Sequence, residues 1–206
     1  KIGSAVSKKF TITVPASVVP AISSVAVADT VTAVYSFFGN MVQSKSKPKF
    51  TITAAGALSS TIKTYKTVFE GKSYSGATPT AGVITGSGTV SAKITVTDSR
   101  GRSASTTKTW TVLSYSAPKI ISFQGFRCLA DGTENYEGAY LNAAINFSIA
   151  PVSDKNTAAY TLEYKLQSAT AWTTLTSGAV YALKDNIISA IGIFGLDNSY
   201  DVRLSV

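Results

Sequence analysis

The sequence predicts an all-β protein made of tandem β-sandwiches, and three observations carry that prediction. Apolar and polar residues alternate at period two wherever a clear pattern exists. Turn-forming clusters separate the alternating runs, and a weak internal repeat recurs at the length of one sandwich. Composition agrees: 45% of the 206 residues are hydrophobic and 15% charged, against roughly 25% charged in an average globular chain. Two small domains fit this length.

The first run places Phe10, Ile12 and Val14 on one side and Lys9, Thr11 and Thr13 on the other, which predicts a strand. The same alternation returns in Val90-Ala92-Ile94-Val96, Ile145-Phe147-Ile149, Tyr160-Leu162-Tyr164-Leu166 and Tyr200-Val202-Leu204-Val206. No helix is predicted. Turns are expected at Ser73-Tyr74-Ser75-Gly76, Thr85-Gly86-Ser87-Gly88 and Asp131-Gly132. Asp98-Ser99-Arg100-Gly101-Arg102 lies between expected strands at 89–97 and 105–113, so it reads as a hairpin loop with Gly101 at a positive-φ position and Asp98 capping its own turn.

The repeat sets the domain boundaries. The run ending at Val14 leads into Pro20-Ala21-Ile22-Ser23, and Trp110 to Leu113 leads into Pro118-Lys119-Ile120-Ile121-Ser122, with the two prolines 98 residues apart. An immunoglobulin-type sandwich takes about 100 residues. The expected organisation is therefore a last strand of a preceding domain over 1–18, an immunoglobulin-like sandwich over 19–115, and an immunoglobulin-like or fibronectin type III-like sandwich over 116–206. The last of these lacks its final strand, because Tyr200 after Gly195-Leu196-Asp197-Asn198 reads as the tyrosine corner that opens a sixth strand. The seventh is expected beyond Val206. A start without Met and without a signal-peptide apolar core fits a piece of a longer polypeptide, and no apolar run is long enough for a transmembrane helix.

Charge is uneven. Residues 1–116 carry 13 Lys and Arg against Asp29, Glu70 and Asp98, a balance of +10, whereas residues 117–206 carry 6 against 8, a balance of −2. The lysines are scattered, unlike the dense clusters of nucleic-acid binders, so a solvated face is expected and nucleic acid is not an expected partner.

Catalytic chemistry is poorly provided for. The sequence has no histidine and one cysteine, which removes the usual general base, the Ser-His-Asp and Cys-His arrangements and any thiolate metal cage. No catalytic residue, metal or cofactor is expected. Cys128, with Phe123 and Phe126 nearby, reads as a buried structural thiol. Trp110 and Trp172 read as core. Two candidate surface contacts remain. Arg100 and Arg102 either pair locally with Asp98 or meet phosphate or carboxylate on a partner. Asp131, Glu134, Tyr136 and Glu137 lie in an expected loop that reads as solvated, as a calcium site, or as a ledge where tyrosine faces stack on sugar.

Several motifs in order resemble one family: Gly39-Asn40-Met41-Val42-Gln43-Ser44-Lys45-Ser46-Lys47, Ser60-Thr61-Ile62-Lys63-Thr64-Tyr65, Glu70-Gly71-Lys72-Ser73-Tyr74, Val96-Thr97-Asp98-Ser99-Arg100-Gly101-Arg102, and, further on, Tyr115-Ser116-Ala117-Pro118, Arg127-Cys128, Asp131-Gly132-Thr133 and Glu137-Gly138-Ala139-Tyr140. Across most of residues 37–175 the chain resembles tail-associated minor structural proteins of siphoviruses of Gram-positive hosts. That resemblance implies a non-enzymatic virion component of the tail tip or a tail fibre, assembled in the host cytoplasm. Its sandwich modules would extend and position host-recognition elements, with other phage tail proteins as partners. A homo-oligomer and contact with host cell-wall glycan, as in a carbohydrate-binding or adhesin module, stay open. Membrane insertion is not implied.

Overall fold

The computed structural model describes residues 3–206. Half of the chain lies in strands and 3% in helix. The elements in order are β1 (Ala21–Asp29), α1 (Thr32–Phe38), β2 (Met41–Val42), β3 (Pro48–Ala55), β4 (Ile62–Phe69), β5 (Lys72–Ser75), β6 (Gly88–Asp98) and β7 (Ser103–Leu113). There follow β8 (Lys119–Cys128), β9 (Tyr140–Ser148), β10 (Tyr160–Leu166), β11 (Thr173–Gly178), β12 (Ala182–Ile191) and β13 (Tyr200–Ser205). Two compact units form, Lys1–Thr32 with Lys45–Thr111 and Ala33–Ser44 with Val112–Val206.

In the first unit β1 pairs antiparallel with β3, and a second sheet runs in the order β7-β6-β4-β5. Alternation decides what faces inward. On β3 the buried residues are Pro48, Phe50 and Ile52, and on β6 they are Ala92, Ile94, Val96 and Asp98. Phe50 of β3 meets Phe69 of β4 and Trp110 of β7 with ring centroids 6.1 and 5.8 Å apart, so aromatic rings from both sheets close the core. The far edge of β3 is covered by an irregular segment: the amides of Phe50 and Ile52 donate to the carbonyls of Pro79 and Ala77. Between β4 and β5, Glu70 and Gly71 both have positive φ, the backbone of a tight hairpin turn. The Glu70 carboxylate then accepts from the amides of Thr85 and Gly86, fastening that turn to the glycine-rich stretch.

The strand expected over 10–14 does not form. Residues 4–15 have no regular structure, and Phe10 and Ile12 are 78% and 85% exposed. Alternation gives a strand its two faces, but the strand itself needs a hydrogen-bonded neighbour.

In the second unit one sheet runs β12-β9-β8 and another β11-β10-β13, all pairs antiparallel. Their inner faces share one core of Leu141, Ala143, Ile145, Phe147, Ile149, Leu162, Phe194 and Leu204. The boundary expected at 115/116 shifts, because residues 33–44 join this unit. Met41 and Val42 pair in parallel with Val112 and Leu113, and the Gln43 side chain accepts from the Tyr115 amide at 3.2 Å. The unpredicted helix α1 is seven residues long, too short to show a helical period. Gly39, at φ 73°, ends it, and Lys155 Nζ donates to the carbonyl of Phe38 at 3.1 Å, a favourable place for a cation.

Candidate functional site

Asp98 is the last inward-facing residue of β6, so the pleat that buries Ile94 and Val96 buries a carboxylate as well. A buried charge must find donors. Oδ1 accepts from the amides of Arg100 and Arg102, each at 2.9 Å, and Oδ2 accepts from Ser60 Oγ at 3.0 Å and Arg100 Nη2 at 3.3 Å. Burial alone raises its pKa, but the bonds from the Arg102 amide, the Ser60 hydroxyl and Arg100 together outweigh burial and hold the carboxyl below its ordinary value. Gly101, at φ 80°, closes the turn as expected.

Both candidate arginines are engaged within the chain. Arg100 Nη2 also reaches the Ala57 carbonyl. Arg102 Nη1 donates to the carbonyls of Pro15 at 2.6 Å and Val18 at 2.8 Å, and its Nη2 to that of Val14. Arg100 pairs with Asp98 as the local reading has it, whereas the Arg102 guanidinium meets the backbone carbonyls of a distant segment and not Asp98. Arg102 is also the fixture that holds residues 14–18 on the first unit.

The loop between β8 and β9 spreads its candidate residues apart. Asp131 Oδ1 accepts from the Thr133 amide at 2.8 Å in an Asx turn, which with the Thr133 side chain lowers its pKa. Glu134 and Glu137 are exposed, and Tyr136 is 85% exposed. Among the described residues no group of three or more acidic or cysteine side chains is placed to hold a metal ion, and Asp131, Glu134 and Glu137 are not gathered into one. Tyr136 instead borders an open groove of about 480 Å³ with Phe126, Arg127, Glu134 and Asn135.

Beneath the loop lies a polar centre without a sequence signal. Asn142 Oδ1 accepts from Cys128 Sγ at 3.1 Å, Ser189 Oγ at 2.9 Å and the Ala190 amide at 2.9 Å, while Nδ2 donates to the Gly132 carbonyl at 2.7 Å. Cys128 is fully buried, as its apolar neighbours predict. Arg127, on the other side of β8, donates to the carbonyls of Gly138, Phe194 and Gly195 and ties the β8–β9 loop to the segment before β13.

The second unit also carries an open cleft of about 510 Å³, bordered by Phe123, Phe126 and Arg127 of β8 and by Asn198, Tyr200 and Val202 at and before β13. Tyr200 Oη accepts from the Gly195 amide at 3.0 Å, the bond expected of a tyrosine corner. Trp172 is not core. It is half-buried, with the Arg203 guanidinium 4.1 Å and Lys165 Nζ 5.5 Å from its ring centroid. Trp110 does pack among core rings, although its Nε1 has no hydrogen-bond partner. No helix among the described residues is long and apolar enough to cross a membrane.

These features define a nearly all-β protein of two compact units whose polar clusters hold loops and strand ends in place. The chain belongs to a family described as "Siphovirus protein of unknown function (DUF859)", which matches residues 1–205. No protein of curated function matches it in sequence. Among solved structures it is similar to one described as a study of carbohydrate-binding modules from the β-sandwich superfamily. The identity is 15% over 90% of this chain and 95% of that one, with a TM-score of 0.37, and nothing about this chain's ligand follows from a likeness of that degree.

Proposed function

We propose that this chain is a non-catalytic structural component of the phage tail, at the tail tip or in a fibre, whose sandwich modules extend and position host-recognition elements. The observation that carries this reading is that both units repeat one strand plan. The second unit's sheets, β12-β9-β8 and β11-β10-β13, correspond to the A-B-E and C′-C-F strands of a fibronectin type III-like sandwich without its last strand. The tyrosine corner at Tyr200 supports that correspondence. In the first unit β1-β3 and β7-β6-β4-β5 follow an immunoglobulin-like plan, with the segment at 77–84 in place of a regular strand beside β3. Modules that repeat one strand plan suit a spacer. Membership of a siphovirus family supports a place in the virion, assembled in the host cytoplasm with other tail proteins as partners. Membrane insertion and nucleic-acid binding form no part of the reading. Gold-labelled antibodies against this chain, applied to purified virions, test it. Labelling at the distal tail is expected, and labelling of heads, or absence of the chain from virions, overturns it.

A second reading rests on Tyr136. An aromatic ring 85% exposed beside an open groove with Arg127, Glu134 and Asn135 offers a stacking face and polar groups to a sugar of the host wall. Binding of the isolated chain to purified host cell wall, lost in Tyr136→Ala, supports direct contact. Equal binding by chain and variant removes it.

A further inference from the structure

We propose that the outer face of the β5-β4-β6-β7 sheet is a docking surface for a phosphodiester-linked polyol chain of the host cell wall, held between Lys66 and Lys93. Positive charge is gathered in the first unit, which carries a balance of +10 because residues 33–44 and 112–116 hold no charge. Its three acids are committed elsewhere. Asp29, Glu70 and Asp98 each accept from backbone amides at strand ends and turns, and none lies on this face. Lys66 and Lys93 are exposed, and neither is in an ion pair among the described residues.

Strand register puts the two lysines side by side. Lys66 lies opposite Ser75 on β5 and Thr95 on β6, and the Thr95 and Ser105 hydroxyls are 2.8 Å apart, so a row of hydroxyls flanks the cation across four strands. Lys93, two residues from Thr95 and on the same face, lies opposite Val68. The lysines are therefore diagonal neighbours on adjacent strands, with backbones roughly 7–8 Å apart, and both ammonium groups can reach one phosphate. Like charges at that spacing with no carboxylate between them repel, and a bound anion relieves the repulsion. The strands carry no aromatic, arginine or acidic side chain on this face. Bases have no ring to stack on and a flat sheet does not enter a groove, so a chain of phosphates without bases fits where a nucleic acid does not. The short hydroxyl side chains leave a low surface on which such a chain lies flat and exchanges hydrogen bonds. A second copy presenting the same face would oppose lysine to lysine. The proposal rests on the first unit alone, and so stands or falls apart from the tail reading and from the Tyr136 groove.

Binding of the full chain to poly(glycerol phosphate) from bacterial cell walls, followed by biolayer interferometry, tests the proposal. The wild type is expected to bind at about 20 mM salt and to weaken steadily as salt rises and competes for the phosphates. Lys66→Gln/Lys93→Gln is expected to bind roughly tenfold more weakly, with a salt dependence shallower by about one to two counterions and an unchanged circular dichroism spectrum. Lys66→Arg/Lys93→Arg keeps the affinity within about threefold. So does Lys47→Gln/Lys49→Gln, which removes the same charge at exposed positions elsewhere on this unit. A wild type that does not bind at low salt overturns the proposal. So do equal losses in the two glutamine pairs, which would make net charge the cause, and equal or tighter binding of an oligothymidylate of matching charge. If Lys66→Gln/Lys93→Gln lowers the sedimenting mass of the chain alone, the face joins copies and the proposal fails as well.

Discussion

The guanidinium of Arg203 lies 4.1 Å from the centroid of the Trp172 ring, and Nε of the same arginine donates to Glu163 Oε2 at 2.7 Å. Trp172 is thus the centre of a charged cluster on the β11-β10-β13 sheet, with Lys165 at its margin, where the sequence pattern alone predicts a core indole. Removing a fully buried tryptophan costs about 3–5 kcal/mol. A half-buried ring with a partly exposed cation over it contributes less, so Trp172→Ala is expected to cost about 1–2 kcal/mol and leave the second unit folded. Urea denaturation followed by circular dichroism checks this, and a variant unfolded in buffer would return Trp172 to the core.

Asp98 gives the first unit an acid limit. Its folded pKa lies below the ordinary 3.8, so its contribution is fully present above the unfolded value and is lost as pH falls through the lower folded value. The melting temperature is expected to hold from neutrality down to about pH 4 and then fall. Asp98→Asn keeps the shape but puts an amide N–H₂ against Ser60 and Arg100, or takes an acceptor from the two backbone amides. Its melting temperature should lie several degrees below wild type at pH 7, with the gap narrowing as the pH falls below the ordinary carboxylate value and through the lower folded one, where the native carboxyl protonates. Parallel scanning calorimetry of the two proteins across that range decides it, and a gap constant with pH would mean that the charge of Asp98 contributes nothing.

Asn142 is expected to matter more than the cysteine it contacts. Asn142→Leu preserves volume but strands the Ser189 hydroxyl, the Ala190 amide and the Gly132 carbonyl in a buried place, at a cost of about 2–4 kcal/mol. Cys128→Ala removes one weak donor and one sulfur, at about 1 kcal/mol. Chemical denaturation ranks the two. The rate at which Cys128 reacts with a thiol reagent gives an independent measure, expected to rise sharply in Asn142→Leu because the thiol is fully buried in the native chain.

The fold was legible where one residue's chemistry decides its own surroundings. Alternation in Val90 to Val96 specifies β6, and carrying it two residues further puts Asp98 inside, where a charge must be capped by the turn that follows. Cys128 among phenylalanines and Tyr200 after a glycine turn are similar cases. What was not legible depends on a second segment. Phe10 to Val14 has the pattern of a strand, but pattern does not supply the neighbour that makes a ladder. Arg102 reads as a turn arginine because its acceptors at Val14, Pro15 and Val18 lie 84 to 88 residues away. Trp172 shows the limit of parity, since both faces of its sheet carry aromatic rings and period two does not say which face is the core. Asn142 falls within an apolar strand and looks like an intrusion until Cys128, Ser189 and Gly132 surround it.

Tyr200 separates the two contributions of a corner tyrosine. Its ring packs on Phe194 and Tyr164 with centroids 5.0 and 6.0 Å away, while its hydroxyl accepts from the Gly195 amide and fixes the turn that leads into β13. Tyr200→Phe retains the packing and loses the acceptor, an expected cost of about 1 kcal/mol. Tyr200→Ala loses both and opens a cavity beside Phe194, an expected cost of about 3–5 kcal/mol. Amide exchange distinguishes the hydroxyl's role from general loosening. In Tyr200→Phe the Gly195 amide should exchange many times faster while the β10–β13 pairs from Leu162–Leu204 to Tyr164–Val202 keep their protection. Uniform loss of protection along β13 would mean that the hydroxyl holds the strand and not the turn.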